Sequence, residues 1–187
     1  MTRGMVDQRS DADLLNAHVE GDAAAFRELY DRHYRHLWAI ALRTTGNPDD
    51  AADALQDALI SIHRTATTFR SDSSVSSWLH KIVVNASLDR LRRNRCHETL
   101  PLVEHESAVM ADTKNYTEAI DLSLSIGRAL DVLPPEQRDA VILVDLHGYS
   151  VRDAASTLDI ASGTVKSRCS RGREKLALVL EYLRDDY

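Results

Sequence analysis

Cysteine, proline, glycine and aromatic residues are all scarce in this 187-residue chain. The two cysteines, Cys96 and Cys169, lie far apart. Neither a disulfide framework nor a zinc site is expected from them. With only 7 glycines, 4 prolines and 5% aromatics, a sandwich or barrel is disfavoured against helices. No apolar run approaches the ~20 residues that cross a bilayer, so no direct membrane insertion is expected. Residues 1–13 lack an apolar core, and no signal peptide is expected either. The simplest location is the cytoplasm. A glycine-rich phosphate loop, HExxH, a nucleophile elbow and Cys–His ligand spacing are missing as well. Hence no enzyme activity, catalytic residue, metal or cofactor is expected. His33 and His36 form an i, i+3 pair with no matching ligand set, which favours a structural role. The carboxylates from Asp49 to Asp57 suit a helix N-terminus and a binding face better than a nuclease metal site.

What remains is helical periodicity. Asp11 to Val19 reads as a short helix with Leu14, Leu15 and Val19 available for burial. Asp22 can cap a longer one, in which Phe26, Leu29, Tyr30, His33, Leu37, Ile40 and Ala41 keep a helical spacing up to Gly46-Asn47-Pro48. Pro48 opens a third helix, with Asp49 and Asp50 suiting its positive end. There Ala51, Leu55, Ala58, Leu59 and Ile62 form the buried stripe, and Asp53, Gln56, Asp57 and Ile60 project elsewhere. Phe69 to Ser77 reads as a polar break. A fourth helix follows with Trp78, Leu79, Ile82, Val83 and Ala86 inward and Lys81, Asn85, Leu88 and Arg92 opposite. Residues 96–117 are acidic, mixed and capless, and read as a linker. At ~3.3 Å per residue this segment reaches about 70 Å, the length of two turns of B-DNA. Its acidity suits either a solvated tether or a basic channel in a partner.

The second half starts near Glu118, where Ile120, Leu122, Leu124, Ile126, Leu130 and Leu133 give a helix with a broad apolar side. Pro134-Pro135 ends it and starts the next, which carries Val141, Leu143, Val144 and Leu146 up to Gly148. Val151, Ala154, Ala155 and Leu158 then lie on one face of a short helix that Ser150 can cap, with Asp153 three residues on. A longer helix starts near Ser162, with Val165, Cys169, Gly172 and Leu176 inward. Lys166, Arg168, Arg171, Arg173 and Lys175 lie on its other faces, against one acid, Glu174. Small residues, a tight turn and a basic stripe together point to a helix-turn-helix whose second helix enters a major groove, rather than an ordinary helical hairpin.

The net charge of −6 conflicts with a stand-alone DNA-binding protein. Lys81, Arg90, Arg92, Arg93 and Arg95 cluster against Asp89, whereas Glu98, Glu104, Glu106, Asp112, Glu118 and Asp121 face only Lys114. Phosphate contacts supply most nonspecific affinity, so an acidic chain with two local basic patches binds DNA weakly unaided. A partner is expected to bring it there.

Four segments resemble region 2 of the extracytoplasmic-function (ECF) group of sigma-70 RNA polymerase sigma factors. They are Ala25-Phe-Arg-Glu-Leu-Tyr30, Asp49-Asp-Ala-Ala-Asp-Ala-Leu-Gln56, Trp78-Leu-His-Lys-Ile-Val-Val-Asn85 and Asp89-Arg-Leu-Arg-Arg93. Pro134-Pro-Glu-Gln-Arg138, Gly148-Tyr-Ser-Val and Thr164-Val-Lys-Ser-Arg168 resemble region 4 of the same group. No region 3 lies between them, as in this group. The resemblance implies an all-α chain of two small helical domains joined by a flexible linker. Region 2 would span 11–95, the linker 96–117 and the region 4 helix-turn-helix 118–183.

It also implies three surfaces. Asp53, Ala54, Leu55 and Gln56 match the segment that docks on the clamp coiled coil of the polymerase beta-prime subunit, although Leu55 also suits the core. Asp57 and Leu59 replace the commoner Glu and Phe. The Ser71–Ser77 loop with Lys81, Asn85, Arg90, Arg92 and Arg93 matches the surface that recognises and opens the −10 element. Opening needs a pocket for an unstacked base and cations along the strand. Trp78 could stack on a base, but its helical position suits the core better. Ser162, Thr164, Lys166, Ser167, Arg168 and Arg171 match the −35 reader, where arginine pairs bidentately with guanine and lysine and hydroxyls hold phosphates. Partners implied are core RNA polymerase, including its beta subunit, promoter DNA and an anti-sigma factor that covers both halves. A stand-alone repressor would need a dimer interface or sensor domain that the sequence does not display, and a nucleic-acid enzyme would need a metal site.

Overall fold

A computed structural model describes residues 9–70, 73–97 and 114–185. Among them every regular element is helical. Helix α1 (Asp11–Val19) is capped by Ser10, whose hydroxyl accepts from the Asp13 backbone N–H while the Asp13 carboxylate accepts from that of Ser10. This reciprocal box satisfies two of the donors that a helix start leaves open. Helix α2 (Ala23–Thr45) starts on Asp22, which accepts from the backbone of Ala24 and Ala25, and stops at Gly46 in the left-handed region at φ 69. Helix α3 (Pro48–Thr65) follows from Asn47 as cap, with Pro48 at its first position. A 3-10 turn, Ala66–Thr68, leads to α4 (Val75–His97). The polar break is therefore shorter than its composition suggests, because Val75, Ser76 and Ser77 already form the first turn of α4. Ser74 caps that turn by accepting from the Ser77 N–H.

Helices α2, α3 and α4 pack on one another, with α1 laid against α2. Leu29, Leu37, Ile40, Leu55, Ile62, Val83 and Val84 are buried between them. Val19 is 44% exposed and stays outside this core. It sits in the last turn of α1, one residue from the cap at Glu20.

Helix α5 (Lys114–Asp131) begins inside the expected tether; residues 98–113, the rest of it, lie outside the described residues. Leu130 and Leu133 are buried, but Leu122 is 63% exposed, so among the described side chains the apolar side of α5 is covered toward its C-terminal end. Pro134 precedes α6 (Pro135–Val141), which continues into a π-helical segment, Ile142–Leu146. Helix α7 (Val151–Leu158) has Ser150 as its cap, and Asp159 closes it in the left-handed region at φ 54. Helix α8 (Ser162–Asp185) packs on α6 and α7. Val165 and Cys169 are buried on its inner face. Gly172 is required there: a Cβ would come within 2.7 Å of Val141 Cγ2.

The two halves are not separate beads. Buried residues of α1 to α8 form one continuous apolar cluster, and α5 crosses the end of α2. At that crossing a Cβ on Gly127 would lie 2.3 Å from Gly46 Cα, so both backbones need glycine to meet.

Candidate core-binding and promoter interfaces

The outer face of α3 carries Asp53 and Gln56, both exposed. Ala54 and Leu55 are 0% and 4% exposed. Their side chains hold α3 in the bundle, and Asp53 and Gln56 are what a partner meets. Ile60, one turn beyond Gln56, is 52% exposed and adds an apolar contact to the same helix. A carboxylate and an amide beside an exposed apolar side chain can accept charge-assisted bonds from a basic partner while burying some area.

Helix α4 presents the second group of residues, and its cations are largely neutralised. Arg90 donates from Nε to Asp50 at 2.8 Å and from Nη2 to Asp53 at 2.8 Å. Arg93 pairs with Asp57. Arg92 bonds Asp89 at 3.0 Å and Asp139 of α6 at 3.3 Å. Lys81, by contrast, is exposed and has no carboxylate partner among the described residues. Asn85 is exposed and lines a cavity of about 260 Å³ with Asp57, Ser61, Ile82, Asp89 and Arg93. Trp78 packs on Phe69, with ring centroids 5.3 Å apart, and is part of the core boundary. Of the Ser71–Ser77 loop, residues 71 and 72 lie outside the described residues.

Leu88 departs from expectation. Its place on the Lys81–Asn85–Arg92 face suggests solvent, yet it is 1% exposed. Lys81 and Asn85 on that face are nevertheless exposed. Leu88 and Asn85 line a cavity with Arg92 and Thr157 of α7. Lys81 and Asn85 line another with Tyr149, Asp153 and Ser156.

The third group lies along α8. Ser162, Lys166, Ser167 and Arg171 are exposed, and Thr164 and Arg168 are half-buried. Lys166, Arg168 and Arg171 have no carboxylate partner among the described residues, whereas Arg173 is held by Asp145 at 2.7 Å. The Ser167 hydroxyl donates to the Thr164 carbonyl at 3.0 Å. Three uncommitted cations beside exposed hydroxyls, on a helix set by a tight turn against α7, form a surface shaped and charged for a duplex groove.

His33 is absorbed structurally, its Nε2 lying 2.7 Å from Asp11 Oδ2. No set of three or more potential metal ligands occurs among the described residues. No helix among them is long and apolar enough to cross a membrane.

Comparison with known proteins accounts for this layout. The sigma-70 region 2 family matches residues 29–96, and the sigma-70 region 4 family matches residues 123–176. The ECF RNA polymerase sigma factor SigM of Mycobacterium tuberculosis is 51% identical over 176 residues, covering 94% of this chain and 87% of that protein. This chain belongs to the ECF sigma factors. The ECF sigma-E factor of Escherichia coli is 29% identical over 182 residues, covering 92% of this chain and 95% of that protein. Among solved structures, the sigma factor RpoE bound to the anti-sigma factor NepR from Bartonella quintana superposes with a TM-score of 0.59. It is 30% identical, with 83% of this chain and 96% of that one covered.

Sequence reasoning missed one group of residues. Asp139, His147, Thr44 and His80 join the two halves. Asp139 is 6% exposed and accepts from both Arg92 and Arg95, the latter at 3.0 Å. His147 Nε2 lies 2.7 Å from Thr44 Oγ1, and its Nδ1 lies 3.2 Å from His80 Nε2. The Thr44 hydroxyl donates its proton to the Ile40 carbonyl at 2.7 Å, so it accepts from His147 Nε2–H. The Nδ1 atom is then the bare acceptor for His80, and the ring is neutral. Burial, then the neighbouring His80 and Arg43, push the His147 pKa down to about 3. No spacing rule finds such pairs, which lie far apart along the chain.

Proposed function

We propose that this chain is a dissociable initiation factor. It binds core RNA polymerase and directs it to a particular set of promoters, in a stress or envelope response and under anti-sigma control. The observation that carries the reading is the order of two matched segments: a region 2 bundle with an acidic docking face, then a region 4 helix-turn-helix with uncommitted cations. The relatives are named as ECF RNA polymerase sigma factors, and one structural neighbour is a sigma factor held by an anti-sigma factor.

Region 2, over 11–95, docks through Asp53 and Gln56 on the beta-prime clamp coiled coil, with Ala54 and Leu55 setting the backbone beneath them. Lys81, Asn85, Arg90, Arg92 and Arg93 take the −10 strand, the arginines and lysine on phosphates and the cavity beside Asn85 on an unstacked base. Region 4, over 118–183, places Ser162, Thr164, Lys166, Ser167, Arg168 and Arg171 in the −35 major groove. Residues 96–117 let the two readers separate, and the beta subunit takes up region 4. The chain acts by binding, as a regulator rather than an enzyme, and works in the cytoplasm beside the polymerase.

The test is transcription in vitro from genomic promoter fragments with purified core polymerase, with and without the chain. RNA starts that appear only with the chain, and fall when Asp53 and Gln56 are both changed to alanine, support the reading. Starts that do not depend on the added chain sink it.

A further inference from the structure

Three histidines from distant parts of the chain come together beside Thr44. His80 lies on α4 and His147 follows the π-helical segment, both half-buried, and His36 lies exposed on α2. The rings of His36 and His80 meet edge-on with centroids 6.0 Å apart, and those of His80 and His147 at 5.2 Å. His80 Nε2 and His147 Nδ1 are separated by 3.2 Å. Two imidazole nitrogens bound to one zinc-like ion at ~2.1 Å lie about 2.9–3.4 Å apart, for the angles of octahedral and tetrahedral centres. The observed separation falls within that interval.

The remaining nitrogen of His147 is arranged as a metal ligand requires. The Thr44 hydroxyl donates to the Ile40 carbonyl at 2.7 Å, so it accepts from His147 Nε2–H, also at 2.7 Å. That bond fixes the tautomer and turns the bare Nδ1 lone pair toward His80. Histidine ligands almost always carry such an outer hydrogen bond. The backbone beneath is set as well, since His147 N–H bonds the Ile142 carbonyl at 3.0 Å to close the π-helical turn. Burial holds the pKa values of His36, His80 and His147 below the ordinary histidine value. At neutral pH they therefore offer lone pairs, the form a metal ion binds. A second close pair, His18 Nε2 and His63 Nδ1 at 3.1 Å, has no outer hydrogen bond on either ring among the described residues.

We propose that His80 Nε2 and His147 Nδ1 form a binding site for a late first-row divalent cation, zinc first among them. Thr44 acts through His147 as a positioning residue. The ion takes the place of the proton between the two nitrogens. His80 then carries its one ring proton on Nδ1, and both imidazoles stay neutral. Imidazole suits zinc, copper and nickel, whereas magnesium and calcium need oxygen ligands that this site does not supply. The described residues offer no set of three or more ligands, so water completes the coordination. Arg43, whose charge acts on all three rings, opposes a dication. Both features set the affinity below that of a structural zinc site with four protein ligands, and occupancy follows the supply of metal.

The test uses the full chain without an affinity tag and with His63→Gln, which removes the second histidine pair. Zinc chloride is titrated near neutral pH and followed by calorimetry. Copper(II) is then added to metal-free chain, and electron spin resonance counts its nitrogen ligands from their hyperfine splitting. The site predicts one zinc per chain and two imidazole nitrogens on copper. Zinc uptake is lost in His80→Gln and in His147→Gln, and Thr44→Val weakens it by about 10–100-fold. Each variant is first checked for parental helicity by circular dichroism; if His147→Gln does not fold, His80→Gln decides alone. A parent chain that takes up no zinc overturns the proposal, as does zinc uptake that is unchanged in a folded histidine variant or a single nitrogen on copper. Zinc binding by Thr44→Val at the parental affinity overturns the positioning role.

Discussion

Single side chains set where the helices of this protein start and how closely they meet. Ser150 accepts from the Asp153 N–H at 3.1 Å and donates to its carboxylate at 2.8 Å. Asp153 thus both accepts and supplies a partner at the entry to α7. Replacing Ser150 with alanine leaves that donor without its acceptor. It is expected to lower stability by about 1 kcal/mol, the usual cost of a lost N-cap, measurable as a lower denaturation midpoint in urea. Asn47 and Asp22 do the same work for α3 and α2. Cys169 is buried on the inner face of α8, and burial pushes its thiol pKa up. A buried, protonated thiol reacts poorly, so alkylation in native buffer is slow at this position.

At the scale of elements, α4 and α8, the two helices proposed to face DNA, differ in electrostatic state. Arg90, Arg92, Arg93 and Arg95 of α4 are tied to Asp50, Asp53, Asp57, Asp89 and Asp139, while Lys166, Arg168 and Arg171 on α8 have no carboxylate partner among the described residues. The difference matters because a guanidinium already bonded to a carboxylate must give up that partner to meet a phosphate, so its net gain is small. Replacing Lys166 with alanine is expected to weaken duplex binding by the polymerase-bound factor about equally across promoter sequences. The same change should reduce the slope of log affinity against log salt by about 1. Replacing Arg168 or Arg171, if it reads guanine, instead relaxes preference at one base position, at about 1–3 kcal/mol. A filter-binding titration over a salt series separates these two outcomes.

For the whole molecule, the joint between the halves is sensitive to protons. His147 lies at it as a neutral ring, facing His80 from α4 and Thr44 from α2, with the charge of Arg43 of α2 also acting on it. His36 of α2 stacks edge-on against His80, with ring centroids 6.0 Å apart, and burial holds both of their pKa values down. A second proton on His147 would turn its Nδ1 from acceptor to donor against His80. Its pKa falls from 6.5 to about 3 with the halves packed together, so this packing binds fewer protons than an arrangement that leaves the ring in water. Its contribution to this packing is fully present above pH 6.5 and is lost as pH falls toward 3. Small-angle scattering between pH 7 and about pH 5 is expected to show an increasing radius of gyration. Replacing His147 with glutamine removes the titrating ring and flattens that response; an unchanged slope in the variant contradicts the assignment.

Much of this protein is legible along the chain. The spacing of Leu29, Leu37 and Ile40 or of Val165, Cys169 and Gly172 reports which face of a helix is buried, since that period belongs to the backbone itself. Caps at Asp22 and Ser150, and the Pro134-Pro135 break, are local too, because donor and acceptor lie within a few residues. The short motifs that mark regions 2 and 4 are equally local. The tertiary structure decided which side chains remain available. Leu88, on a face shared with Lys81 and Arg92, is buried while Lys81 is exposed, and Leu122 is exposed although it belongs to the apolar side of α5. Arg92 looks free in its run of bases and is held by Asp139, from the other half of the chain. Periodicity specifies the direction in which a side chain leaves its helix; whether that direction ends in water, carboxylate or another helix depends on contacts between distant segments, which only the folded chain brings together.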